Sequence, residues 1–114
     1  ASGCSKVGAG SDSAPHQDQT KYQDCGCAGC FNAPIALQMY ATAFEKAGAI
    51  EKLPAFLGLH IPQGVYGIPP KPSKIHLIKR KDVVPIYAAE GSFGLRVEVL
   101  FGGETLPWDI EVRK

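Results

Sequence analysis

The sequence predicts an α/β fold, and within that class the closing part of a larger protein. Three observations carry that expectation. The run "KVGAGSD" (6–12) is small, apolar and ends on an aspartate, as a short buried strand would. A long polar stretch and two helical patterns follow it directly. The remainder changes to alternating, β-like runs such as "KIHLIKR" (74–80) and "LRVEVLF" (95–101). One short strand and two helices make a poor core, and a buried strand needs neighbours on both sides. An antiparallel tail cannot supply them all.

Each element has a local reason. Val7 is the one sizeable apolar side chain in 6–12, so the strand is expected to stop at Ser11 or Asp12. Residues 13–31 are rich in Ser, Pro, Gln, Asp, Gly and Cys and form a loop; loops of that length are usually functional. Asn32 is placed as an N-cap with Pro34 in the first turn. Leu37, Tyr40, Ala41, Phe44 and Ala47 then recur at three- and four-residue spacing, giving one buried helical face that Gly48 terminates. "IEKLPAFL" (50–57) fits a second helix closed by Gly58, although Pro54 blurs its boundaries. "HIPQGVYGIPPKPSK" (60–74), with four prolines and two glycines, reads as a rigid extended connection. Turns are expected around Glu90–Gly94 and Gly102–Gly103.

Composition narrows the function. Hydrophobic residues make up 45% and charged residues 20% of the 114, ordinary for a folded chain. Twelve Lys and Arg against 11 Asp and Glu leave a net charge of +1, which removes the electrostatic basis for binding nucleic acid or an anionic membrane. No apolar run approaches the roughly 20 residues that cross a bilayer. The opening "ASGCSKVGAGSD" has neither a basic segment nor a long apolar one, so it is not read as a signal peptide. Nothing else indicates secretion, and the four cysteines are expected as free thiols in a reducing compartment.

Two stretches hold the chemistry. Asp12 lies where a strand hands over to a loop, the position at which α/β barrels keep their active sites. There it can ligate a metal or move a proton; as part of "DSAP" it can equally be a turn aspartate bonding nearby N–H groups. His16 can donate to a substrate anion or be a solvated surface histidine. Cys25, Cys27 and Cys30 form a C-x-C-x-x-C cluster, one ligand short of a structural zinc site unless His16 joins them. Cys27 and Cys30 also have redox spacing, without the surrounding pattern such motifs keep. His60 and His76 read as ordinary surface or core residues. Lys71, Lys74, Lys79, Arg80 and Lys81 read as a solvated edge, and Trp108 as a cover on one end of a barrel.

"GSDSAPH" (10–16), "CGCAGCFNAPIAL" (25–37), "VYGIPP" (65–70) and "GGETLPW" (102–108) occur in the order seen in dihydroorotases. From about Val7 to Trp108 the chain resembles the C-terminal third of the bacterial-type, single-function branch of that amidohydrolase family. The resemblance implies a (β/α)8 TIM-type barrel, of which residues 1–114 would be the C-terminal part of a single domain. Strand eight and the active-site loop would occupy 6–31, helices 32–58, and an extended connection with a β tail 59–114.

It implies a zinc-dependent hydrolase that interconverts N-carbamoyl-L-aspartate and L-dihydroorotate in de novo pyrimidine synthesis. Such an enzyme would be cytoplasmic and homodimeric, with a small-molecule substrate and two Zn2+ bridged by hydroxide and a carboxylated lysine. Asp12 matches the strand-eight aspartate that binds one zinc and acts as general acid/base. His16 matches a residue that binds the substrate carboxylate, and Ala28 one whose backbone N–H binds the same group. The cysteines are then loop packing around Ala28 rather than zinc ligands. The family's remaining metal ligands and substrate-gripping Arg and Asn are not found in this sequence, so the 114 residues alone are expected to be inactive. Two other readings stay open: a non-catalytic dihydroorotase-like structural partner, and a small cysteine-cluster metal or thiol module.

Overall fold

A computed structural model describes residues 2–17, 19, 22, 28–90 and 96–113. Its main helix, α1, spans Ala36–Lys46 and is entered through a 3-10 turn at Ala33–Ile35. The expected periodicity is realised in the middle of the helix, where Ala41 and Phe44 are buried with Tyr40 packed beside them, while Leu37 is half-buried and Ala47, past the last turn, is exposed. Gly48 stops the helix at φ +66, a left-handed conformation that a side chain would disfavour, and its N–H donates to the Glu45 carbonyl at 2.9 Å.

The second helical stretch departs from expectation. Ile50–Lys52 forms a 3-10 turn, and a π-helical segment then runs Ala55–Gln63, through Gly58 and past Pro62. The wide winding is visible in the bonds from Gly64 N–H to the Leu59 carbonyl and from Tyr66 N–H to the Ile61 carbonyl. An interior proline costs a tightly wound helix one hydrogen bond, and wider winding re-pairs the neighbouring groups. The extended connection therefore begins later than its prolines suggest, after the turn that follows Gln63.

From Lys74 onward the chain is one long antiparallel ribbon folded back on itself. Strand β1 (Lys74–Ile78) pairs with β6 (Asp109–Arg113), β2 (Asp82–Val83) with β5 (Thr105–Leu106), and β3 (Tyr87–Glu90) with β4 (Arg96–Glu98). The pairs are nested: Lys74 faces Arg113, Asp82 faces Leu106 and Glu90 faces Arg96. The two strongest strand patterns thus do not pair with each other, because each finds its partner across its own end of the ribbon. The expected turn at 90–94 lies outside the described residues beyond Glu90, as does Leu95; the turn at 102–103 is present.

α1 lies against β1, β5 and β6, and two apolar clusters join helix to ribbon. Ala41, Phe44, Ala49 and Leu53 form one, flanked by Phe56, Leu77 and Trp108. Ile35, Val84 and Val99 form the other, flanked by Phe31, Met39 and Leu106. Trp108 is therefore a helix-to-ribbon contact. Lys79 lies 5.0 Å from its ring centroid and pairs with Glu45, while Arg80 pairs with Asp109. The basic run at 71–81 is divided between ion pairs and solvent.

The buried strand expected at 6–12 is not formed here. Residues 7–12 have no ladder partner among the described residues, and Val7 is 53% exposed. What holds this segment is the π-helical stretch: Ala9 N–H donates to the Phe56 carbonyl at 3.3 Å, and His60 Nδ1–H to the Val7 carbonyl at 3.0 Å. A strand is defined by its ladder partners. The apolar run is right for one, but those partners are absent among the described residues.

Candidate active site

Two segments far apart in sequence meet beside the start of α1, 11–16 and 28–33. Ser13 organises the contact. Its Oγ accepts the N–H of Asn32 at 3.2 Å and of Ala33 at 3.1 Å, satisfying donors that a helix start leaves open. Asn32, the expected N-cap, makes no capping bond; its buried side-chain amide instead donates from Nδ2 to the Ser11 carbonyl at 2.9 Å. The cap thus comes from a residue 19 positions upstream, which no local pattern could indicate.

One step on, Ala14 N–H donates to the Cys30 carbonyl at 3.0 Å. Gly29 passes so close that a Cβ on it would lie 2.6 Å from the Ala14 Cβ, and its φ of +108 is glycine territory in any case. That closeness brings His16 to Ala28. The His16 Nε2 lies 3.1 Å from the Ala28 carbonyl oxygen. A carbonyl can only accept, so the hydrogen of this bond sits on Nε2. Two of the three residues singled out from the sequence are therefore in direct contact.

Asp12, the third, sits between the Ser11 and Ser13 anchors. It is exposed, and its φ of +45 puts it in the left-handed region, where a short polar side chain is tolerated better than most. Its carboxylate makes no hydrogen bond or ion pair with a described residue. The ribbon is tied to the flanks of these segments: Leu100 N–H donates to the Phe31 carbonyl at 2.9 Å, and Gln17 bridges to Val97.

Cys30 is an exposed free thiol, and Cys25 and Cys27 lie outside the described residues. Among the described residues no three His, Cys, Asp or Glu side chains gather closely enough to hold a metal ion. His60 is taken by the Val7 carbonyl, and His76 lies in β1 opposite Glu111.

No family model matches the chain. Its relatives are nevertheless clear. It is 43% identical over 98% of its length to a dihydroorotase of Hahella chejuensis, covering 32% of that protein. It is 46% identical over 94% of its length to a mitochondrial dihydroorotase of Arabidopsis thaliana, covering 28% of it. The chain belongs to the dihydroorotase family. It spans about a third of the length of the curated dihydroorotases it matches. The three-dimensional likeness agrees. A crystal structure of Saccharomyces cerevisiae dihydroorotase in complex with 5-fluoroorotic acid superposes with a TM-score of 0.89 at 28% identity, over 97% of this chain and 31% of that one. The ribbon, the π-helical stretch and the Ser13 anchor are thus set within a dihydroorotase fold, a family of metal-dependent amidohydrolases. No helix of the described residues is long and apolar enough to cross a membrane.

Proposed function

We propose that this chain contributes the C-terminal side of a dihydroorotase active site, catalysing the reversible cyclisation of N-carbamoyl-L-aspartate to L-dihydroorotate. The observation that carries the proposal is the joining of His16 to Ala28 beside a solvent-facing Asp12, within a segment 41–46% identical to dihydroorotases. The 5-fluoroorotic acid in the yeast relative adds support, because it has the ring and carboxylate of the proposed ligand. On this reading residues 1–114 are the C-terminal part of one (β/α)8 barrel domain. The 6–12 segment becomes its last strand when neighbouring strands flank it, and the enzyme is a cytoplasmic homodimer.

The roles follow from the groups present. His16 offers a ring N–H, and Ala28 a backbone N–H that no described residue takes; together they suit a carboxylate, which only accepts. Asp12, fixed between two serine anchors, is the group that moves the proton. In the hydrolytic direction its carboxylate takes a proton from the attacking water and delivers it to the ring nitrogen as the amide C–N bond breaks. In cyclisation it accepts the proton of the ureido nitrogen as that bond forms and returns it to the departing hydroxide as the carboxyl C–O bond breaks, releasing water.

Asp12 also has a donor group suited to zinc. A single exposed carboxylate fits a contributor to a metal centre, and the remaining ligands must come from residues other than those described. When bound, the two zinc ions supply a polarised ring carbonyl and a water acidic enough for a carboxylate to deprotonate.

The decisive test is Asp12→Ala in the whole protein. Turnover of L-dihydroorotate should disappear while far-UV circular dichroism and melting remain close to wild type. Substantial residual turnover would exclude Asp12 as the acid/base.

A further inference from the structure

We infer that Ser13, Ala14 and Gly29 are positioning residues that set the gap between Asp12, His16 and the Ala28 backbone; the inference rests on the dihydroorotase reading above. The contacts alternate with the groups they would position. Ser11 and Ser13 bind the start of α1 on either side of Asp12, through the Asn32 side chain and the Asn32 and Ala33 amides. The Ala14–Cys30 bond and the Ala14–Gly29 approach lie between that anchor and the His16–Ala28 pair. Ser13, Ala14 and Gly29 carry no charge, and Cys30 enters only through its backbone carbonyl, so the contribution of the clamp is geometric.

The two halves of the clamp have different consequences. A methyl at position 29 must move 28–30 away from 13–16, because a Cβ there would meet the Ala14 Cβ at 2.6 Å. That displaces the Ala28 N–H relative to the His16 ring, the two groups assigned to the substrate carboxylate. Asp12 lies beyond Ser13 and stays with the helix start. Loss of the Ser13 hydroxyl instead leaves the Asn32 and Ala33 amides unpaired and frees the backbone next to Asp12. Binding should therefore depend on Gly29 and turnover on Ser13. Small misplacements matter here, since a shift of about 1 Å at a reacting group can cost on the order of 100-fold in rate.

Steady-state kinetics of the whole protein with L-dihydroorotate test this. Gly29→Ala should raise KM about ten-fold or more with kcat within about three-fold of wild type. Ser13→Ala should lower kcat about ten-fold, and Ser13→Thr, which keeps the accepting hydroxyl, should restore most of it. A role in stability alone would shift melting temperature and leave the KM-against-kcat split absent. An unchanged KM in folded Gly29→Ala overturns the Gly29 assignment. If Gly29→Ala does not fold, the Ser13 pair decides: equal kcat for Ala and Thr overturns the clamp. Wild-type protein that turns over dihydroorotate with indifferent variants defeats the clamp alone. Wild-type protein without turnover defeats the dihydroorotase reading and the positioning roles with it.

Discussion

Replacing His16 by alanine offers a quantitative test of the proposed carboxylate site. A charge-assisted hydrogen bond is worth about 1.5–3 kcal/mol, and truncating its donor would ordinarily cost that much. Here the free protein already uses the same hydrogen: Nε2–H donates to the Ala28 carbonyl at 3.1 Å. A carboxylate that takes this hydrogen displaces a neutral bond worth about 0.5–1.5 kcal/mol. The net loss on truncation is then about 1–1.5 kcal/mol, or roughly five- to twelve-fold in affinity. His16→Ala should therefore raise KM for L-dihydroorotate about ten-fold and leave kcat within a few-fold, because the lost interaction is made to substrate and transition state alike. Steady-state kinetics, with direct titration of an orotate-like inhibitor as a second measure, would read it. An unchanged KM would refute the carboxylate role. A loss of about 1000-fold in kcat with KM unchanged would refute it differently, by placing His16 in the chemical step.

Three further outcomes are expected. Phe44→Ala removes a ring only 6% exposed and 5.0 Å from that of Phe56, and should destabilise the fold by about 3–5 kcal/mol in urea unfolding; a loss below about 1 kcal/mol would mean the cluster does not hold α1 to its neighbours. Arg80 hydrogen-bonds Asp109 and, with the Ile110 N–H, holds its carboxyl below the usual carboxylate range. A folded value below the unfolded one makes this contribution present above about pH 4 and lost as pH falls through the folded value. Unfolding midpoints compared at about pH 6 and about pH 3 should thus differ less in Asp109→Asn than in wild type. The 114 residues expressed alone should neither turn over dihydroorotate nor bind zinc stoichiometrically, by activity assay and metal analysis; turnover would show that Asp12 suffices without further ligands.

The division between sequence and tertiary structure follows the range of the interactions. Primary structure alone specified α1, because helical periodicity and a glycine stop are written within a few residues of each other, at Tyr40, Ala41, Phe44 and Gly48. It determined β1, whose apolar run is long enough to read locally, and it determined the family, through four motifs whose order survives without knowledge of contacts. Local proline rules misjudged 55–63, because π-helical winding depends on packing that those rules do not contain. Asn32 was the better cap by its neighbours and Ser13 the actual one, because a hydroxyl can reach a helix start from any part of the chain that folding brings there. The nested ribbon, the Ala14–Gly29 approach and the His16–Ala28 bond likewise join residues well separated along the chain. Those contacts are settled by folding, since side-chain type limits which groups can bond, while the fold selects which of them meet.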